Sequence, residues 1–176
     1  MPFFRLLLAA AIACLAQPAL SCSYSPPDTF HRSFSRANSI FVFRLETLAL
    51  TDTSSSEVIG RIRVVETFKG KQPRFKFIRF RTARCGGIRL DVGHYFVGLT
   101  RENGQMLSLG AGDRSVLDLR DQYDEEASDK YNKNGSLLRT IRSAIASGVL
   151  PDTFPTNYDL QFTQYNEPPP AIGKER

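Results

Sequence analysis

Histidine, cysteine and tryptophan are scarce in this sequence. The 176 residues include two His, three Cys and no Trp. So few imidazoles and thiols argue against a self-contained zinc or iron–sulfur protein. A catalytic triad would have to use His31 or His94, and the sequence has no Ser/His/Asp spacing, paired-carboxylate motif, H-E-x-x-H motif or phosphate loop. We therefore expect no enzymatic activity and no cofactor. His94 is either a general base or metal ligand, or an ordinary strand histidine, and we favour the second interpretation.

Long hydrophobic runs are also missing, apart from one at the N-terminus. After a single charge at Arg5, an apolar run covers residues 6–16, and Ala19-Leu20-Ser21 follows with small residues at its first and third positions. About 11 apolar residues are too few to span a bilayer, and the pattern is typical of a secretory signal peptide. We expect residues 1–21 to be removed and the mature chain to be secreted or periplasmic, with no transmembrane segment.

The rest of the composition is that of a globular domain. The chain is 41% hydrophobic and 23% charged, which argues against collagen, a coiled coil and wholesale disorder. One domain over residues 22–150 is long enough to bury its own core. Residues 151–176 are rich in Pro, Asn and Gln and carry no core pattern, so we predict an extended Pro-rich tail there.

Strand patterns dominate this domain. Runs rich in β-branched and aromatic residues are separated by turn sequences such as residues 101–104, RENG. Gly60 inside one run, and a change of phase at Phe77-Ile78, indicate bulges or tight bends. Five consecutive strands favour an all-β fold with accessory helices, as a five-stranded OB-fold-like barrel. The predicted strands cover residues 40–47, 57–68, 75–82, 94–100 and 106–109.

Helical patterns flank the predicted strands. Residues 136–147 place their apolar side chains on one face, with Gly135-Ser136 before them and Gly148 after them. We expect this helix to pack against the barrel, and a shorter C-terminal helix within residues 121–134. Residues 30–38 form either a short helix or an irregular lead-in to the first strand.

Two cysteines remain after the predicted cleavage, and Cys22 becomes the first residue. In an oxidising compartment Cys22 and Cys85 would most simply form a disulfide, with two free thiols as the alternative. A first-position Cys also offers its free α-amino group and carbonyl oxygen, which can chelate one metal ion. A disulfide would hold that terminus in place and reduce the entropy cost of binding. The alternatives are a disulfide that only pins a loose terminus, and lipidation of Cys22.

Positive charge is concentrated in one part of the chain. Residues 61–89 contain ten basic residues and a single acid, Glu66. On a barrel they would form a stripe that binds a polyanion such as an acidic polysaccharide, or they are solvated outer faces of strands. We do not expect nucleic acid as a partner, because the protein is predicted to be exported. The ten are Arg61, Arg63, Lys69, Lys71, Arg74, Lys76, Arg79, Arg81, Arg84 and Arg89.

Three sequence blocks occur together in an order that one protein family shares. Residues 22–46 (CSYSPPDTFHRSFSRANSIFVFRLE) begin with Cys, followed by Pro-Pro and a Phe-containing helix. Residues 64–70 (VVETFKG) are similar to a family strand end, and residues 85–109 (CGGIRLDVGHYFVGLTRENGQMLSL) follow its spacing of Cys, Gly, Leu and Tyr. Over about residues 22–120 the chain resembles the tissue inhibitors of metalloproteinases, within the wider group of netrin-like modules.

The resemblance implies a zinc metallopeptidase as the partner and an OB-fold barrel with a Cys22–Cys85 disulfide. It implies that Cys22 chelates the zinc of the target enzyme through its amine and carbonyl, while Ser23 points into the adjacent specificity pocket. The contact edge would continue along Tyr24, Ser25 and Pro26, and its second part would be Thr82, Ala83, Arg84 and Cys85.

Two further hypotheses come from the same features. The protein could be an exported netrin-like binding module whose basic face holds an acidic or protein partner. It could also be a cell-envelope protein lipidated on Cys22, in which the lipid would prevent zinc chelation.

Overall fold

Six strands and two short helices make up the described part of the chain. The computed structural model describes residues 29–51, 56–82, 87–102, 104–110, 113–119, 131–152 and 154. Neither helix in these ranges is long and apolar enough to cross a membrane. In chain order the elements are α1 (Phe30–Arg36), β1 (Ser39–Leu50), β2 (Glu57–Lys69), β3 (Phe77–Arg81), β4 (Tyr95–Thr100), β5 (Met106–Ser108), β6 (Val116–Asp118) and α2 (Ser136–Ser147).

The six strands form one sheet in the order β5-β3-β2-β1-β4-β6. All neighbouring strands are antiparallel except β3 and β5, which run parallel. The predicted all-β class with accessory helices is confirmed, but the predicted count of five strands is wrong because β6 pairs with β4. All three side chains of β6 are buried, so this short strand shows no alternating pattern that the sequence analysis could detect.

Local sequence accounts for both helices. The side chain of Thr29 caps α1 by accepting a hydrogen bond from the backbone N–H of Arg32 at 3.2 Å. Gly148, in the left-handed conformation with φ of +77°, ends α2. The predicted helix over residues 136–147 is confirmed, and of the two alternatives for residues 30–38 the structure has the helix. Most of the predicted helix within residues 121–134 lies outside the described residues.

The long β1–β2 pair is where the sheet bends. Three register shifts interrupt the pair, and one of them leaves Glu46 as an extra residue in β1. The residues on either side of Glu46 pair with consecutive residues of β2, Ile62 and Arg61. Because each bulge bends its strand and increases the twist, the sheet curls into a half-barrel.

Gly60 allows the close approach of β1 at the bend, and it is not part of a bulge. It lies in regular register, opposite Leu48 on one side and Ile78 on the other. A Cβ at this position would lie 2.7 Å from Cδ1 of Leu45 and 2.9 Å from the carbonyl oxygen of Thr47. Of the two roles predicted for Gly60, the register therefore excludes a bulge, while the close approach of β1 fits a tight bend.

The phase change at the start of β3 has a backbone cause. The N–H groups of Lys76 and Phe77 both donate to the carbonyl of Gln105, at 2.9 and 3.3 Å. Two consecutive donors on one acceptor mark an irregularity one residue before the predicted position. As a result Phe75 is buried whereas Phe77 is exposed.

Apolar side chains from all six strands fill the inner side of the half-barrel. Aromatic rings form its centre, with the Phe41 ring 5.9 Å from Phe43 and 5.8 Å from Phe75, and Phe43 stacked 5.5 Å from Phe96. We call this cluster the inner core: Phe41, Phe43, Leu45, Val58, Ile62, Phe75, Ile78, Phe80, Ile88, Leu90, Phe96, Leu107, Leu109 and Val116.

A second core lies on the other side of β1, β4 and β6, where the helices pack. Strand residues such as Ile40 and Val97 meet Phe34 of α1 and Ile141 of α2, as expected for a helix that covers the barrel. Phe154 packs against Phe30 with ring centroids 5.8 Å apart, so the packed part of the chain reaches residue 154. The helix-side core comprises Phe30, Phe34, Ala37, Ile40, Val42, Val97, Leu99, Leu117, Leu138, Ile141, Ala144, Leu150 and Phe154.

Candidate functional site

The predicted contact edge falls mainly on residues outside the described ranges. Residues 22–26 and 83–85 lie there, and so does the predicted Cys22–Cys85 disulfide. Thr82 is the predicted edge residue that the structure describes. Its backbone N–H and its hydroxyl both donate to the carbonyl of Ser56, at 2.9 and 3.3 Å. Thr82 is therefore fixed beside the start of β2, at one end of the sheet.

We call residues 83–87, which follow β3, the connector. The residues that flank it are anchored to the sheet. The N–H of Ile88 donates to the carbonyl of Arg81 at 2.8 Å, so the chain returns to the strand that it has just left. Ile88 and Leu90 then enter the inner core. Both attachments of the connector are thus part of the packed domain.

The predicted basic stripe divides into separate groups. Nine of its ten residues are described and all nine are exposed, while Arg84 lies outside the described residues. Lys69, Lys71 and Arg74 lie around the turn between β2 and β3. Four arginines share the outer side of β2 and β3 with one aromatic residue. We call this group the basic outer face: Arg61, Arg63, Phe77, Arg79 and Arg81.

Two carboxylates lie next to the basic outer face. Glu46, turned by its bulge, pairs with Arg61 at 3.4 Å and with Arg63 at 3.0 Å. Glu57 pairs with Arg79 at 3.7 Å. Four guanidinium groups against two carboxylates leave the face positive, and ion pairs this exposed contribute little to stability.

Phe77 makes this face partly apolar. It lies opposite Arg61 in the β2–β3 register and is 40% exposed. Sequence analysis placed Phe77 in a strand but not on this face. The signal was the phase change itself, which puts Phe75 and Phe77 on opposite sides of the sheet.

Asp91, His94 and Asp118 converge, which sequence analysis did not predict. Each offers one ligand atom, and the three atoms all lie within 4.8 Å of one another. The Nδ1 of His94 is 3.5 Å from Oδ2 of Asp118, and both side chains are largely buried. The Asp91-x-x-His94 spacing was visible in the sequence, but Asp118 belongs to β6, the strand that the sequence did not predict.

A further polar cluster ties α2 to β2. The hydroxyl of Tyr131 donates to Glu66, and Arg142 pairs with Glu66 at 3.1 Å. Burial alone raises the pKa of Glu66, but hydrogen bonds from Tyr131 and Arg142, with the charges of Arg142 and Lys133, outweigh it and lower the pKa below 4.5. Burial and the nearby carboxylate raise the pKa of Tyr131. This cluster holds the helix in place and leaves Glu66 ionised.

Comparison with known proteins assigns no family to the chain. No protein-family model matches it, and no curated protein matches it. The resemblance to the tissue inhibitors of metalloproteinases therefore stays a prediction that depends on the three sequence blocks.

Proposed function

We propose that this protein is an exported, non-enzymatic inhibitor of zinc metallopeptidases, built on an OB-type barrel. The three sequence blocks carry the functional part of the proposal, and the barrel is supported by the strand order. In it β1 lies between β2 and β4, and β3 pairs in parallel with β5. A five-stranded Greek-key barrel of the OB type has this order, and β6 then extends the sheet beyond β4. The order of the first five strands therefore supports the OB-type barrel that the resemblance to the tissue inhibitors implies.

The contact edge in this proposal combines residues 22–26 with the connector. After export, the α-amine and carbonyl of Cys22 bind the zinc of the target and displace the water that the enzyme would activate. Ser23 enters the neighbouring pocket, and Cys85 holds the terminus through a disulfide. The hydrogen bonds of Thr82 and Ile88 support the proposal because they anchor the two ends of the connector, and anchored ends reduce the entropy lost on binding.

The test compares two forms of the exported chain against a panel of zinc metallopeptidases. One form begins at Cys22, and the other carries a single Ala before Cys22. The added residue places the terminal amine on Ala, one residue away from the carbonyl of Cys22, so we expect inhibition to be lost. Equal inhibition by both forms, or no inhibition of any enzyme by the first form, would contradict the proposal.

Two controls keep this result specific. Both forms should unfold at the same urea concentration, since the extension adds no contact to the described cores. Neither form should inhibit a serine peptidase, which has no zinc to chelate.

A second candidate function is binding of an acidic polymer, and the basic outer face favours it. Its four arginines lie on one side of two adjacent strands, around the exposed ring of Phe77. Sulfate and carboxylate groups form charge-assisted hydrogen bonds with guanidinium groups. This surface needs neither a free N-terminus nor the connector, so the two functions can be tested separately.

Retention on a sulfated-polymer column tests the second candidate. The Arg61→Gln/Arg79→Gln protein should elute at clearly lower salt than the unaltered protein, because fewer counterions are released on binding. Arg139→Gln is the control, since Arg139 is an exposed arginine on α2. If all three proteins elute together, the basic outer face is not the binding surface.

A further inference from the structure

We propose that Asp91, His94 and Asp118 form a binding site for one divalent transition-metal ion, with zinc as the ion that fits best. The site is separate from the zinc chelation proposed for Cys22, which would involve the metal of another protein. It uses two carboxylates and one imidazole of this chain, whose ligand atoms all lie within 4.8 Å of one another. Imidazole with carboxylate oxygen is a donor set suited to zinc and its neighbours in the transition series.

A tight turn brings the first two ligands together. Asp91 and His94 are its ends, with the N–H of His94 directed at the carbonyl of Asp91 at 3.4 Å. Gly93 has a φ of +90°, which favours glycine at this position. The turn is pinned to β1, because the N–H of Gly93 donates to the carbonyl of Leu45 at 2.8 Å and the N–H of Leu45 donates to the carbonyl of His94 at 3.0 Å.

The third ligand comes from the neighbouring strand. Asp118 lies opposite Phe96 in the β4–β6 register, and Phe96 belongs to the inner core. His94 lies two residues before Phe96, and its ring is stacked 6.4 Å from the Phe96 ring. His94 and Asp118 therefore lie on the inner side of the half-barrel, at the end of β4. A site built on paired strands and a pinned turn is largely formed before the ion binds.

The distance between His94 and Asp118 agrees with that of two ligands that share an ion. Nδ1 of His94 lies 3.5 Å from Oδ2 of Asp118, which is longer than the 2.7–2.9 Å of a charge-assisted hydrogen bond. Ligands at about 2.0–2.1 Å from a tetrahedral zinc ion are about 3.4 Å apart. Three protein ligands would leave the fourth position of such an ion for water or another molecule.

Burial and charge favour the same conclusion. Asp118 is 9% exposed and lies beside the apolar inner core. Because a site this buried excludes most water, the two carboxylates would attract a divalent cation strongly. Arg89 pairs with Asp91 at 3.0 Å, and since a carboxylate has two oxygens it can hold an arginine and an ion at once. Arg89 would then orient Asp91 as outer partners of metal ligands do.

Calorimetric titration of zinc chloride into the exported chain tests the site. We expect one ion per chain at this site, and binding weaker by at least about 10- to 100-fold for His94→Gln, since loss of a ligand should cost no less than loss of an outer partner. The chain provides its own matched control in its other histidine. His31→Gln should bind zinc like the unaltered protein, because Nε2 of His31 instead contacts the carbonyl of Pro151 at 2.7 Å.

The α-amine of Cys22 is a second group that can bind free zinc, and the chain acetylated at Cys22 separates the two, because acetylation removes the amine as a ligand. The acetylated chain should keep the one-ion binding that His94→Gln loses. Full binding by His94→Gln, or no zinc binding by the unaltered protein, would overturn the proposal. Inhibition of a metallopeptidase should not depend on His94, so the two proposals can fail independently.

A measurement on the unaltered protein covers the case in which His94→Gln does not fold. Manganese(II) broadens the NMR signals of nearby backbone amides, and it can occupy a site of imidazole and carboxylates. We expect selective broadening of Val92, Gly93 and Leu117. Broadening elsewhere in the chain, with these three signals unchanged, would overturn the proposal.

Discussion

The outer side of the sheet has two regions that share a backbone pattern but differ in what covers them. On β1, β4 and β6 the outward positions hold aliphatic residues such as Ile40, Val97 and Leu117, and both helices pack there. On the first half of β2 and on β3 the outward positions hold Arg61, Arg63, Arg79 and Arg81, which are exposed, together with Glu57, Ile59 and Phe77. Because the two regions belong to one paired sheet, the outward side chains alone decide where a helix can dock.

This difference has consequences for rigidity. The first half of β1 (residues 40–45) and β4 are largely buried on both sides, so a substitution on either face meets packed atoms. Strand β3 and the first half of β2 are buried on the inner side only, and solvent can accommodate a change on the other. We therefore expect identical substitutions to have unequal effects in the helix-covered and the open regions.

The largest effect should come from an isoleucine pair. Ile141 of α2 is fully buried against the sheet, whereas Ile59 lies on the open outer side of β2, half-buried and opposite Arg79. Ile141→Ala should lower the free energy of unfolding by about 2–5 kcal/mol, because it leaves a cavity. Ile59→Ala should cost about 1 kcal/mol or less. Urea unfolding measures both, and equal losses would contradict the contrast between the regions.

A smaller loss should follow from adding a methyl group to β4. A Cβ on Gly98 would lie 2.7 Å from Cζ of Phe41, whose ring is itself packed against Phe43 and Phe75. We expect Gly98→Ala to cost about 1–3 kcal/mol through overpacking. Gly110→Ala is the control, since a Cβ there meets nothing within 4 Å. Equal midpoints of thermal unfolding for the two variants would contradict this prediction, because β4 would then accommodate the extra methyl group without loss of stability.

Much of this architecture was accessible from sequence because its signals are local. The β-branched and aromatic residues of β1 and β2, the apolar face of α2 and the Gly148 that ends it each lie within about a dozen residues of the chain. The elements that were missed depend on distant partners. β6 is defined by its pairing with β4, and the bulge at Glu46 by its register against β2.

The candidate sites follow the same rule. A count of charges found the basic residues but could not assign Arg79 and Lys71 to different parts of the surface, since that depends on where β2 ends. Asp91 and His94 are three positions apart in the sequence, but Asp118 comes close to them only through the β4–β6 register. What sequence analysis cannot supply here is long-range register, and both candidate surfaces depend on it.

The helix-covered region should respond to loss of one carboxylate. Glu66→Gln removes the charge that Arg142 and Tyr131 bind, and we expect it to cost about 1–2 kcal/mol in urea unfolding at neutral pH. The pKa of Glu66 is lowered in the folded state, so its ionisation stabilises the fold above pH 4.5. That contribution is lost as pH falls through the lower folded pKa. The stability difference between the two proteins should therefore shrink in acid, and a constant difference would contradict this origin.

The smallest effect on stability should come from the same substitution in the open region. Glu46 is as exposed as Glu66, at 30% against 28% of the side chain, and it also contacts arginines. Its partners Arg61 and Arg63 are more than half exposed, however, so water replaces the ion pairs and Glu46→Gln should cost less than about 0.5 kcal/mol. Loss of the charge should instead raise the salt concentration that elutes the protein from a sulfated polymer. If Glu46→Gln lost as much stability as Glu66→Gln and eluted at the same salt concentration as the unaltered protein, the contrast would fail. The open region would then depend on its charges for packing, as the helix-covered region does, and would not be available for a partner.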